Sequence, residues 1–115
     1  MAKDRINKIN EEVLRELSHV IRELKDARIP ILTSVVAVDV TNDLSYAKAY
    51  ISVFGDEETQ KKAIQGLKSA QGFIRREIGH RLNLRHTPEF IFELDHSIEY
   101  GSKINQMIND INKKG

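Results

Sequence analysis

Two stretches of helical periodicity run into one another across Ser69-Ala70-Gln71-Gly72, a break too short to serve as a free loop. The segment around this break is also the basic part of the chain. From Lys61 to His86 there are seven Lys or Arg (61, 62, 68, 75, 76, 81 and 85) against one acid, Glu77. The whole chain carries a formal net charge of only +1, so positive potential is concentrated here and balanced by acids elsewhere. Such asymmetry points to a polyanionic partner.

At 115 residues the chain has the length of one domain with a single core. No apolar run approaches the roughly 20 residues of a membrane-spanning helix, and the amino terminus lacks the apolar centre of a secretion signal, so a cytoplasmic protein with no membrane partner is expected. Cysteine is absent, which removes disulfides, thiol catalysis and thiolate metal sites together.

From about Asp4 to Lys25, Ile6, Ile9, Val13, Leu17, Ile21 and Leu24 recur at helical spacing, and Pro30 is the expected stop. Thr33 to Val40 is rich in β-branched residues. Tyr46 to Phe54 alternates, with Ala47, Ala49, Ile51 and Val53 on one side and Tyr46, Lys48, Tyr50 and Ser52 on the other. Thr41-Asn42-Asp43-Leu44-Ser45 between them carries turn chemistry, so the two strands form a hairpin. Asp56 is placed to cap a helix with Glu57 and Glu58 in its first turn and Ala63, Ile64, Leu67 and Ala70 as its buried stripe. A third helix from about Gly72 turns Ile74, Ile78 and Leu82 inward, which rotates Arg75, Arg76 and His80 to solvent. Pro88 opens a last strand with Phe90, Phe92 and Leu94 inward. Residues 97–115 contain Ile104, Ile108 and Ile111 at helical spacing and read as a carboxy-terminal helical tail appended to a domain over 1–96.

The order α-β-β-α-α-β with a tight helix junction is that of a type II KH domain, an α+β nucleic-acid-binding fold with a three-stranded sheet covered by helices on one face. There the junction is a Gly-x-x-Gly loop; here it is Ser69-Ala70-Gln71-Gly72, with only the second glycine kept. The expected result is a kink between two helices, with Gly72 free to take positive φ. The unpaired N–H groups and positive dipole end of the third helix then face whatever lies against Ala70-Gln71-Gly72, and Arg75, Arg76, Lys68 and Lys61 or Lys62 are expected within a turn or two. The plainer alternative is a glycine cap flanked by a solvated charged face.

The chain resembles the bacterial ribosome-binding factor A family over nearly its whole length. The resemblance rests on Asn42-Asp-Leu-Ser-Tyr-Ala-Lys-Ala-Tyr-Ile-Ser-Val-Phe, on Ala70-Gln71-Gly72 followed by Phe73-Ile-Arg, and on Leu84-Arg-His-Thr-Pro-Glu-Phe-Ile-Phe-Glu-Leu-Asp-His-Ser. It implies a non-enzymatic, KH-like protein without cofactors, monomeric when free, that binds the immature small (30S) ribosomal subunit and its 16S ribosomal RNA. It further implies a role in late maturation, importance at low temperature, and departure from the mature subunit. The family's kink motif carries over to Ala70, Gln71 and Gly72, and the following arginine to Arg75. Ser69, Lys61, Lys62, Lys68, Arg76, Arg81 and Arg85 join the expected RNA-binding set on charge and helical geometry. Relative to longer family members the tail past Asp110 is short. The first helix reads as a cover for the sheet, with Lys3, Arg5 and Lys8 as a secondary place for RNA contact.

Other candidates are weaker. His80 and His86 have no carboxylate at ligand spacing, and His19 and His96 are isolated, so no metal site is expected. Glu89, Glu93 and Asp95 flank one strand, where alternation puts Glu93 and Asp95 on the exposed side to balance the basic helices. Asp39 reads as a strand-end acid, and Tyr46 and Tyr50 as packing residues or, alternatively, stacking platforms. No phosphate-binding Gly-Lys-Ser/Thr loop is present. Beside the RNA-binding reading stands a protein-interaction module with no direct RNA contact.

Overall fold

The computed structural model describes residues 2–95, with side chains from Arg5 onward. Lys3, His96 and the expected tail over 97–115 therefore lie outside the described side chains. The elements are α1 (Ala2–Glu23), β1 (Thr33–Val40), β2 (Tyr46–Val53), α2 (Glu57–Ser69), α3 (Gln71–Leu82) and β3 (Glu89–Leu94). This is the expected α-β-β-α-α-β order.

The sheet runs β1-β2-β3, with β1 antiparallel and β3 parallel to β2. A parallel neighbour needs a crossover, and α2 with α3 supplies it. Alternation in β2 sends Ala47, Ala49, Ile51 and Val53 to the buried face, joined by Val38 and Val40 of β1 and by Phe90 and Phe92 of β3. The helices complete this core with Val13, Leu17, Val20 and Ile21 of α1, Ala63 and Leu67 of α2, and Ile74 and Ile78 of α3. The two alanines of β2 leave room for large helix side chains such as Leu17, Leu67 and Ile74, all fully buried; each contributes about 1.5–3 kcal/mol by leaving water.

Local chemistry explains the joints. In the hairpin the Asp43 carboxylate accepts from the Thr41 hydroxyl (2.8 Å) and the Ser45 N–H (3.1 Å), while Leu44 takes φ 60°. The Ser45 N–H and the Thr41 hydroxyl hold the Asp43 carboxyl below its usual range. Asp56 accepts from the Thr59 N–H at 2.8 Å and caps α2 as expected. A bulge at Val36 interrupts the β1–β2 register.

Two expectations are corrected. Helix α1 ends at Glu23, well before Pro30. The stop is Asp26, whose carboxylate accepts from the Arg28 N–H (2.9 Å) and guanidinium (2.7 and 3.1 Å), building a turn that Pro30 merely follows. The Arg28 guanidinium, then its N–H, lower the Asp26 pKa to about 2. Second, Gly72 does not use positive φ; the left-handed residues are Leu44 and Asn83, with Gly55 at φ 148°. Gly72 sits inside the first turn of α3, where any residue has the same backbone.

Candidate nucleic-acid interface

One residue makes the kink. Ala70 takes φ −89°, ψ 8°, off the helical path, yet its N–H bonds back to Gly66 and Leu67 and its carbonyl accepts from the Ile74 N–H at 2.9 Å. It thus closes α2 and opens α3 at once. Among the described residues no side chain caps α3, so none of them occupies its first-turn N–H groups in that way, at the positive end of a twelve-residue dipole. Gly72 is exposed, and a Cβ built on it would meet nothing within 4 Å. The backbone is therefore open to close approach by an anion at the point where its donors are unpaired.

Around this point stand Lys68, Ser69, Arg75 and Arg76, all exposed; Lys68 and Arg76 are unpaired among the described residues. Arg75 is aimed. Its Nη2 donates to the Thr87 carbonyl at 3.0 Å, which fixes the guanidinium at the rim of a cleft of about 480 Å³ lined by Ser45, Tyr46, His86, Thr87 and Glu89 among others. Thr87 has a second role: a Cβ on Gly79 would fall 2.5 Å from its hydroxyl, so the bare glycine lets α3 lie directly on the lead-in to β3.

The remaining sequence-expected residues separate from this cluster. Lys61 and Lys62 pair with Glu57 (3.5 Å) and Glu58 (3.3 Å) near the start of α2. Lys61 precedes Ala70 by nine residues, roughly 13 Å along the axis, more than the turn or two expected. Arg81 is turned toward α1. Its Nη2 meets Glu23 at 2.8 Å, with Glu16 and Glu77 each at 3.6 Å from other guanidinium nitrogens, and the bond to Glu23 is the main cause of its raised pKa. Three carboxylates occupy it, so it ties α3 to α1 and is poorly placed to bind another anion. Arg85 is exposed but lies beyond the far end of α3, which is about 18 Å long. Gln71 is half-buried with its carboxamide turned to β3: Nε2 donates to the Phe90 carbonyl at 2.7 Å and Oε1 accepts from the Phe90 N–H at 2.8 Å. Sequence reasoning missed this bond and the Arg75–Thr87 bond, since each joins residues that only the finished fold brings together.

Arg5 lines a separate cavity of about 280 Å³ with Ile6, Ile9, Asn42 and Leu44, and Lys8 is exposed on α1. Asp39 is exposed. Glu93 faces Lys48 on the sheet at 3.7 Å, a neighbour within the sheet in place of the basic helices expected for it. Among the described residues no three of His, Asp and Glu gather in a metal-binding group, and no helix is long and apolar enough to cross a membrane.

A three-stranded sheet backed by helices on one face, with two of the helices joined at a kink, defines a KH-like class of protein. The chain belongs to the ribosome-binding factor A family, whose model matches residues 5–108. It is 50% identical over 111 residues to ribosome-binding factor A of Caldanaerobacter subterraneus subsp. tengcongensis, covering 96% of this chain and 91% of that one. To that of Acetivibrio thermocellus it is 56% identical over 108 residues, covering 93% and 88%. The crystal structure of ribosome-binding factor A from Thermus thermophilus matches with a TM-score of 0.70 at 25% identity, over 77% of this chain and 94% of that one. A homology model of Thermus thermophilus ribosome binding factor A, fitted into a cryo-electron-microscopy map of its 30S complex, matches with a TM-score of 0.64 at 25% identity, over 76% and 91%. The family is one of binding factors, not of enzymes.

Proposed function

We infer that this chain is an assembly factor of the small ribosomal subunit, and that it docks on immature 30S particles by laying the α2–α3 kink against the backbone of 16S ribosomal RNA. The observation that carries the reading is the open, uncapped start of α3 at Gly72, flanked by Lys68, Arg75 and Arg76. N–H groups and cations converge there on a space where a phosphate fits. Family membership supports the same partner, as does the likeness to a factor fitted into a 30S complex. Lys68, Ser69, Ala70, Gly72, Arg75 and Arg76 form the contact set; Lys61, Lys62 and Arg85 contribute longer-range attraction. Binding favours one local RNA arrangement over its competitors, and no bond is made or broken. Help with late maturation, greatest need at low temperature, release from the finished subunit and a cytoplasmic location complete the proposal.

Affinity for precursor subunits, measured against salt, tests it. Each phosphate neutralised adds nearly one to the slope of log affinity against log salt, so the three cations Lys68, Arg75 and Arg76 give a slope of about −2 to −3. A flat dependence would overturn phosphate docking and favour a protein partner. That second reading draws on the face of the sheet that no described helix covers, where Tyr46 (47% exposed), Ile91 and Val36 stand in the open.

A further inference from the structure

The bond between Gln71 and Phe90 marks a second binding element beside the kink. In β3 the Glu89 N–H donates to Ser45 O (3.0 Å) and the Asp95 N–H to Ile51 O (2.8 Å). Odd-numbered residues therefore face β2, and in a parallel ladder Phe90 must turn its N–H and C=O to the other edge, which no described strand pairs and which is free in that sense. That edge carries a donor and an acceptor side by side, and the Gln71 carboxamide meets both, at 2.8 and 2.7 Å. The orientation of the amide follows from the chemistry, because only its NH₂ can donate to a carbonyl and only its oxygen can accept from an N–H.

A carboxamide's adjacent donor and acceptor are the chemical equivalent of a nucleobase edge. Adenine offers N6–H beside N1, cytosine N4–H beside N3, and uracil N3–H beside O4. Gln71 immediately precedes Gly72, above which space is open. A base attached to a phosphate held at Gly72 is thus within reach of the Phe90 edge, but finds it taken.

Building on the RNA-docking reading, we propose that the free edge of β3 at Phe90 is a nucleobase-binding slot plugged by Gln71, so that the kink grips RNA by its backbone and stays indifferent to sequence. A base entering the slot must break two hydrogen bonds to make two, which yields no preference. Removing the plug leaves the Phe90 pair to be satisfied by water or by a base, and a bidentate base contact is the kind that discriminates.

The experiment compares the parent chain with Gln71→Ala, and with Gln71→Ser should alanine lower stability; native ¹H–¹⁵N spectra establish that each variant is folded. Adenosine, cytidine and uridine are titrated separately while the Phe90 amide is followed, and binding of single-stranded A, C and U hexamers is measured at fixed salt. Expected are a Phe90 shift in the variant but not in the parent, and a spread of affinities among hexamers of about tenfold in the variant against about twofold in the parent. Folded variants whose Phe90 amide ignores all three nucleosides overturn the slot, as does a parent that already discriminates among the hexamers. Should neither protein bind RNA in a salt-dependent way while the variant's Phe90 still answers to a nucleoside, the docking reading fails and the slot stands.

Discussion

The two broad surfaces of this molecule carry opposite chemistry. At the kink, Lys68, Arg75 and Arg76 surround an open helix start; Glu77 is engaged by Arg81 at 3.6 Å, and Asp43 and Glu89 line the cleft that Arg75 borders. On the sheet face that no described helix covers, Asp39 and Glu93 outnumber Lys48 among the described strand residues; Glu93 meets Lys48 at 3.7 Å, and Tyr46 and Ile91 are open beside them. Among the described residues of a chain with a net charge of only +1, cations therefore gather at the kink and carboxylates on the open sheet face. Charge arrangement, not net charge, orients the encounter.

The sharpest way to break this contrast is to reverse the cationic side. If the proposed docking holds, Arg75→Glu with Arg76→Glu removes two of its phosphate contacts and adds two repulsions, so affinity for precursor subunits in a sedimentation or polarisation assay should fall about a hundredfold with folding intact. The mirror-image change, Asp39→Lys with Glu93→Lys, should alter affinity by no more than about threefold. Equal effects from the two pairs would show that position on the molecule is irrelevant.

Gly72→Ala separates stability from binding. The space above Gly72 is empty and its backbone helical, so alanine should stabilise the fold by up to about 1 kcal/mol in denaturant titration. In the proposed docking the added methyl would stand between a phosphate and the N–H groups, so affinity should drop several-fold. A variant both more stable and equally tight would remove close backbone approach from the mechanism.

Smaller effects delimit the surface. Arg81→Ala breaks the tie to Glu23, Glu16 and Glu77 and should lower the thermal midpoint by a few degrees while leaving subunit affinity within about twofold. A large loss of affinity would return Arg81 to the binding set. Smallest is an acid-dependent change remote from the kink. Because the Asp26 pKa is lowered to about 2 in the folded chain, its contribution to stability is complete above the ordinary aspartate value of 3.8 and disappears as pH falls toward 2. Asp26→Asn should flatten the stability profile between about pH 4 and 2 and change nothing at neutral pH beyond the loss of the Arg28 pair. An unchanged acid limb would show that Asp26 and Arg28 part in solution.

How much of this was legible beforehand follows from the range of each interaction. The hairpin could be read because the alternation of Ala47, Ala49, Ile51 and Val53 and the turn at Thr41–Ser45 are local. Asp56 was recognisable as a cap for the same reason, its partner Thr59 being three residues away. The end of α1 near Lys25 was legible to within two residues, but its cause was misassigned because Pro30 is conspicuous, whereas the Asp26–Arg28 turn that follows the helix is ordinary in composition. The basic segment was recognised as a set, but its division was not. Arg81 finds Glu23 58 residues away, and Gln71 finds Phe90 19 residues away, pairings that periodicity cannot express. Counting positive charges along the chain located the right region and included cations that the fold assigns to other partners.

Thr87 gives the kink a mechanical property that no charge count contains. The same residue bears the weight of α3 at Gly79 and anchors the guanidinium of Arg75. Seat and pointer are machined from one part, like the sight and barrel of an instrument, so that lifting the helix by the width of a methyl at position 79 would throw the arginine off its mark without touching it.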